Sequence, residues 1–427
     1  MYSIVTYTCQ RWQHRTLMMA IMTIVSVCLV PSSPMAASLD TTGESKTQQL
    51  PRPPANDTLR DQQEQRIEEL QERVKSLEEQ QSSILDEIAE RVTIGGYGVV
   101  SYEDLDAPDS TSFNGTLALT LSGHIHDRIR FFNEIDLGIS GEDVQPIQSY
   151  VDLLLMKGIN LRGGVLQVPF GKFNIDHFDP RRDLTDDPLV ARRVIPTNWS
   201  DFGISLFGLI PVSPSVKATY EVAIVNGLTD DFSRPGALPG EGLREARSNL
   251  LNDNNTNKAI VGRTTFVFVD QYEFGFSGYR GDYDDTSTNA ITGFDADFEF
   301  KPRGTPVLED FEFKAEYAYF DIEESIEPSS VSGFYTQVNY HFWPRTLDHT
   351  FLGRRFSNPT FTLVGRYGHA NIDTTSRTGD LKEDRYTFGL NYRPFEDFVI
   401  KTEYQVNIGG IERENADGFL ASISWQF

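Results

Sequence analysis

From Thr93 to the last residue, Phe427, apolar and polar residues alternate with a period of two. The pattern is plainest in Leu117, Leu119, Leu121; in Val216, Ala218, Tyr220, Val222, Ile224; in Phe311, Phe313, Ala315, Tyr317, Tyr319; and in Phe419, Ala421, Ile423, Trp425, Phe427. Polar residues fill the gaps, as Asp295, Asp297 and Glu299 do between Phe294, Ala296, Phe298 and Phe300. Such a period gives each strand one greasy face and one wet face. Many runs reach the roughly 9–11 residues of a tilted bilayer-crossing strand, longer than the strands of most soluble sandwiches. Tyrosine, phenylalanine and tryptophan gather at their ends, as an interfacial girdle requires. The greasy face therefore meets lipid, and because hydrocarbon tolerates no unpaired backbone groups, the strands must close. The fold class expected is all-β: a transmembrane antiparallel β-barrel of about sixteen strands over 92–427, the first at 92–102, the fifth at 159–170 and the last at 417–427. Connections after even-numbered strands are mostly short, as at 157–158 and 270–271, and several after odd-numbered strands are long.

Ahead of the barrel the period changes. Between Asp57 and Arg91, Ile67, Leu70, Val74, Leu77, Ile84 and Ile88 occupy heptad positions a and d, with Gln81 the one polar a residue, and nearly everything else is Glu, Gln, Arg or Lys. A stripe this narrow is a coiled-coil seam, so 57–91 is expected to be a coiled-coil α-helix. Arg73, Val74, Leu77 and Glu78 resemble the Arg-apolar-x-x-apolar-Glu pattern of three-stranded coils, which predicts a homotrimer. Residues 38–56 are polar and hold Pro51, Pro53 and Pro54, the composition of a flexible linker. Residues 1–37 read as a signal peptide: Arg11 and Arg15, the apolar run Leu17–Val30, and small residues ending at Ala37. Both cysteines, Cys9 and Cys28, fall in that leader, so the exported chain is expected to lack disulfides, thiolate ligands and cysteine nucleophiles. Val27 is too bulky for the small residue that usually precedes a lipid-carrying cysteine.

Charge narrows the function. With 62 acidic against 38 basic residues and a net charge of -24, the chain is a poor partner for nucleic acid. The six histidines after the leader (124, 126, 177, 341, 349 and 369) lie in no nucleophile or zinc motif. The chain is accordingly not expected to be an enzyme, and neither catalytic residue, metal site nor cofactor is expected.

Several segments have the wording of a known family: VPFGKF (Val168 to Phe173), RVIPTNWSDFGISLFG (Arg193 to Gly208), YEVAIVNG (Tyr220 to Gly227) and NNTNKAIVGR (Asn254 to Arg263), with a final strand ending in Trp425 and Phe427. Over about 92–427 the chain resembles the Gram-negative outer-membrane porins, in particular the phosphate-selective porin O/P type. The coiled coil is similar to that of siderophore porins of the Legionella type. The resemblance implies an outer-membrane location among lipid and lipopolysaccharide, the coiled coil in the periplasm, and Trp425 and Phe427 as the signal read by the barrel assembly machinery. It also implies that the connection from Gly171 to Ser200 folds inward as the constriction. There Lys172, Arg181, Arg182, Arg192 and Arg193 stand among Asp176, Asp179, Asp183, Asp186 and Asp187. Charges of both signs at a narrow passage set up a transverse field that orients polar solutes.

Alternation selects Arg130, Glu134, Arg263, Asp295, Asp297, Lys314, Arg366 and Lys401 for the lumen, where acids and bases nearly balance. The expected function is a water-filled channel for passive diffusion of small hydrophilic solutes or ions, weakly selective. The alternatives are an anion-, phosphate- or siderophore-selective porin, and a structural barrel tethering the outer membrane through its coiled coil. The acidic loop around Asp282, Asp284 and Asp285 could hold divalent cations, although solvated charge accounts for it as well.

Overall fold

The computed structural model of the chain describes residues 65–76, 91–106, 111–138, 144–233, 241–247, 250, 253–323, 328–374, 380–409 and 416–427. The period-two segments form sixteen strands: β1 Val92–Leu105, β2 Thr111–His126, β3 Ile129–Asp136, β4 Gln145–Met156, β5 Ile159–Gln167, β6 Ser200–Ser213, β7 Val216–Val225, β8 Ala259–Phe268, β9 Tyr272–Asp282, β10 Ala290–Phe300, β11 Phe311–Ile322, β12 Ser330–Phe342, β13 Thr360–Asp373, β14 Leu381–Phe395, β15 Phe398–Gly409 and β16 Gly418–Gln426. Each pairs antiparallel with its sequence neighbour and β16 pairs with β1, so the sheet has no free edge. Closure is what the greasy outer face demands. Ile204 is 65 % exposed and Phe388 63 %, an outer surface that water would not tolerate but hydrocarbon solvates.

The seam has its own fit. Phe427 N–H donates to Gly96 O (3.0 Å) and Gly96 N–H returns the bond (3.1 Å), extending the register past Tyr97–Gln426. A side chain at Gly96 would meet the Phe427 ring at 2.9 Å, and one at Gly98 would strike the Trp425 indole, so the Gly-Gly-Tyr-Gly run of β1 forms the groove in which the terminal aromatics lie.

Two features depart from the sequence reading. β5 stops at Gln167, three residues short of its expected end: Val168 N–H still bonds across to Trp199 O (2.9 Å), but Phe170 N–H turns back to Val168 O (2.7 Å) and Gly171 (φ 74°) turns the chain into the barrel. The inner face is also not wet throughout. Phe170, Val190, Val194, Ile195 and Trp199, from the connection after β5, form one apolar core with Leu228, Leu243 and Ala246 of the next long connection and with wall residues Ala223, Val261, Tyr279, Ala318, Phe320, Val331 and Tyr335.

Residues 65–76 form a helix belonging to a separate unit of the chain, on which Ile67, Leu70 and Val74 are exposed. The leader, the linker and the heptad positions Leu77, Gln81, Ile84 and Ile88 lie outside the described residues.

Candidate functional site: the connection inside the barrel

Residues 168–199 leave β5, cross the lumen and return to β6. Their neck is stapled by the buried Asn174, whose Nδ2 donates to Val168 O (3.0 Å) and whose Oδ1 accepts from Trp199 N–H (2.8 Å). Gly171 is required beyond its φ, because a Cβ there would meet Ile195 Cδ1 at 2.7 Å and Glu316 Oε1 at 2.8 Å. Apolar side chains hold one end of the segment in the core described above. The middle is held by charge.

Every constriction residue named from the sequence belongs to this segment, and most are matched to a partner. Lys172 reaches Glu273 (2.7 Å) and Glu299 on the β9–β10 wall. Asp183 meets Lys314 (2.7 Å) and accepts from Gln337 (2.8 Å) and Asn339 (2.9 Å). Asp186 is clamped by Arg192 (2.7 Å) and Arg385, while Arg366 donates to its backbone oxygen (2.8 Å). Arg193 pairs with Glu383 (3.1 Å), both buried. Arg182 pairs with Asp187 (2.8 Å), and Lys401 donates to Asp179 O (2.7 Å). Arg181 differs. It is exposed, lies 4.9 Å from the Phe178 ring, and has no carboxylate partner among the described residues.

Wall carboxylates also cap the segment's backbone. Glu403 accepts from Thr185 N–H (2.6 Å) and Asp186 N–H (3.1 Å), and Glu316 accepts from Phe173 N–H (3.2 Å). On the far wall His177 Nε2 lies 2.9 Å from Glu134, which also accepts from Tyr97 OH (3.1 Å). The lumen residues expected from alternation do face inward. Arg263 pairs with Asp297 (2.5 Å) and lies 3.5 Å from Asp295, and Arg130 pairs with Asp152 (2.8 Å).

These pairings shift the segment's ionisation. Burial opposes charge on Asp186, yet Arg192, Arg385 and Arg366 hold its carboxyl well below the usual range. Burial likewise disfavours the Asp183 carboxylate, and Lys314 overrides it, leaving the group more acidic than normal.

A polar cavity of about 400 Å³ remains beside the segment. Lys172, Arg181, Arg182, Lys301, Lys314 and Arg366 line it against Asp176, Asp183, Glu273 and Glu299. Sequence reasoning missed Glu273, Glu383, Gln337, Asn339 and Tyr97. Glu383 stands two positions before Arg385 and was findable from the period; Glu273 sits in β9, whose alternation is weak.

No family model matches the chain. An uncharacterized protein of Aquifex aeolicus (strain VF5) is 24% identical over 377 residues, covering 80% of this chain and 81% of that one. Among solved structures, OmpF of Salmonella typhi, in complex with daunomycin, overlays with a TM-score of 0.54 at 9% identity over 79% of this chain and 98% of its own. The trimer form of OmpT, an outer-membrane protein of Vibrio cholerae, overlays with a TM-score of 0.50 at 9% identity, over 79% of this chain and 99% of that chain. The fold is porin-like. At these identities the likeness carries the barrel fold alone.

Proposed function

We propose that the chain is an outer-membrane porin, a passive channel for small hydrophilic solutes whose width is set by residues 168–199. The carrying observation is the charged segment pinned across the interior of a closed barrel whose outer face is apolar. Such a barrel passes solutes by diffusion, and the segment decides their size. In this reading Lys172, Asp179, Arg181, Arg182, Asp183, Asp186, Asp187, Arg192 and Arg193 line the constriction, and the short-turn end of the barrel faces the periplasm. Conductance in planar bilayers tests it: purified protein should insert and open an ohmic channel, and protein that inserts without conducting would overturn it.

Selectivity should be weak, because most constriction charge is neutralised in pairs. Arg181 is the exception, and it lines a cavity whose bases outnumber its acids. Arg181→Ala should therefore move the reversal potential in a salt gradient toward cations more than Arg192→Ala does, since Arg192 is already paired with Asp186. Equal shifts would remove Arg181 from the solute path.

The trimer reading gains a second support besides the heptads. Outward positions on β9–β16 are rich in aromatics, among them Phe274, Phe298, Tyr317, Tyr340, Tyr386 and Trp425, whereas β4 and β5 present Val151, Leu153, Leu155, Ile159 and Leu161 and no outward aromatic. Beside them Ser149 Oγ bonds to Asn133 Oδ1 (2.7 Å) on the same outer face, a polar pair better covered by protein than by acyl chains. Native mass measurement in mild detergent should give three chains, and bulky Leu153→Arg should reduce it to one. A trimer unaffected by Leu153→Arg would place the interface elsewhere.

A further inference from the structure

The residues joining β12 to β13, 343–359, make the longest connection at the short-turn end. The connections at 127–128, 157–158, 214–215 and 396–397 are tight, but this one is a folded segment. A 3-10 turn at Arg345–Leu347 opens it, and Arg354 N–H to Thr350 O (3.0 Å) and Phe356 N–H to Gly353 O (3.0 Å) continue it. It is held against the barrel's outer wall. Trp343 stacks on the outward Phe361 at 5.5 Å, its Nε1 donates to Asp348 (2.7 Å), Phe356 stacks on Phe395 at 6.1 Å, and the outward Tyr392 donates its hydroxyl to Leu352 O. The segment thus lies in the aromatic belt, beside the mouth and not across it.

Its surface is unlike that of the chain. Phe351 is 85 % exposed, and Arg345, Arg354 and Arg355 are exposed without an ion pair among the described residues. Asp348 is the segment's only acid and is engaged by Trp343. A protein of net charge -24 here presents three free guanidiniums around a bare phenyl ring, at the level where a bilayer changes from acyl chain to headgroup.

We propose that 343–359 is a binding site for the headgroup of anionic phospholipid in the leaflet at the short-turn end. Arg345, Arg354 and Arg355 engage the phosphate, for which the forked guanidinium is suited, and Phe351 enters the acyl layer beneath it. The inference rests on the membrane-spanning reading above. It commits to phospholipid over lipopolysaccharide because the short-turn end faces the periplasmic leaflet in that reading.

Native mass spectrometry of the full chain, released from mixed phosphatidylglycerol and phosphatidylcholine micelles, tests it. The unaltered protein should retain phosphatidylglycerol preferentially, by roughly a hundredfold given three basic groups at the surface. Arg345→Gln/Arg354→Gln/Arg355→Gln should abolish the preference, while Arg128→Gln, an exposed arginine in the turn between β2 and β3, should leave it intact. Phe351→Ser should lower retention of both lipids without changing the ratio. Unchanged preference in the triple variant, loss in Arg128→Gln, or stronger retention of lipid A than of phosphatidylglycerol would overturn the proposal. Conductance of the same samples separates the readings: lipid retained by a barrel that never conducts removes the porin and leaves the site, and a conducting barrel without lipid preference does the reverse.

Discussion

Replacing Asp186 by asparagine should raise single-channel conductance several-fold and leave the barrel folded. The Asp186 side chain is 9 % exposed and is the point where Arg192, Arg385 and, through the backbone, Arg366 converge. Removing one member of a buried pair costs about 3–5 kcal/mol when the survivor stays buried and charged. Here the survivors have exits: Arg385 keeps Glu383 (3.1 Å), and Arg192 is already 40 % exposed and can turn to water. The cheapest response is for the segment around 183–193 to leave the wall, a local opening that costs the sixteen-strand ladder nothing. Channel recordings read the conductance, and thermal melting checks the barrel. A folded variant with unchanged conductance would mean that Asp186 does not control the aperture. The effect has a pH signature. Because the Asp186 carboxyl is held below its ordinary value, its contribution is fully present above that value and is lost as pH falls through the lower, folded one. The conductance ratio of variant to unaltered protein should therefore be flat from pH 8 to about pH 4 and approach one only in stronger acid. A ratio that changes near pH 6 would assign the pin to another group.

Deletion of Phe427 should reduce the folded barrel in the membrane to a small fraction of its normal level. Two hydrogen bonds between Phe427 and Gly96 close the seam and together contribute about 2 kcal/mol. The aromatic ring lies over Gly96, and its loss uncovers β1 where no side chain can replace it. If the terminal aromatic is also what the assembly machinery reads, as the porin resemblance implies, the shortened chain should refold in detergent yet fail to accumulate in cells. Equal accumulation would confine Phe427 to a minor packing role. Gly96→Val should also weaken the seam in detergent, because a side chain there would strike the Ala118 backbone oxygen and, at 2.9 Å, the Phe427 ring.

The barrel was legible because lipid outside and charge inside impose a strict alternation on strands such as β10, where Asp295, Asp297 and Glu299 face in and Phe294, Phe298 and Phe300 face out. Legibility fails where the inner face is itself covered. Val165 and Leu166, on opposite faces of β5, are both buried, and on β11 the inward Ala318, Phe320 and Ile322 pack on the inner core while Tyr317 and Tyr319 face out. With both faces apolar the period vanishes at these positions, and β5 ends three residues before its expected end. The charges at 172–193 were visible as a cluster; their partners were not, because Glu273, Glu383 and Asn339 are brought to them only by closure of the cylinder.

That inner core joins two connections distant in sequence. Leu243 N–H donates to Arg193 O (3.1 Å), and Gly242 (φ 61°) must be glycine because a side chain would strike that same oxygen. Of residues 241–247 only Glu245 is exposed, and Gly242, Leu243 and Ala246 are buried against the inner core. A substitution at Gly242 therefore acts at a distance in sequence: it displaces the backbone of Arg193 and, through it, the segment pinned across the barrel.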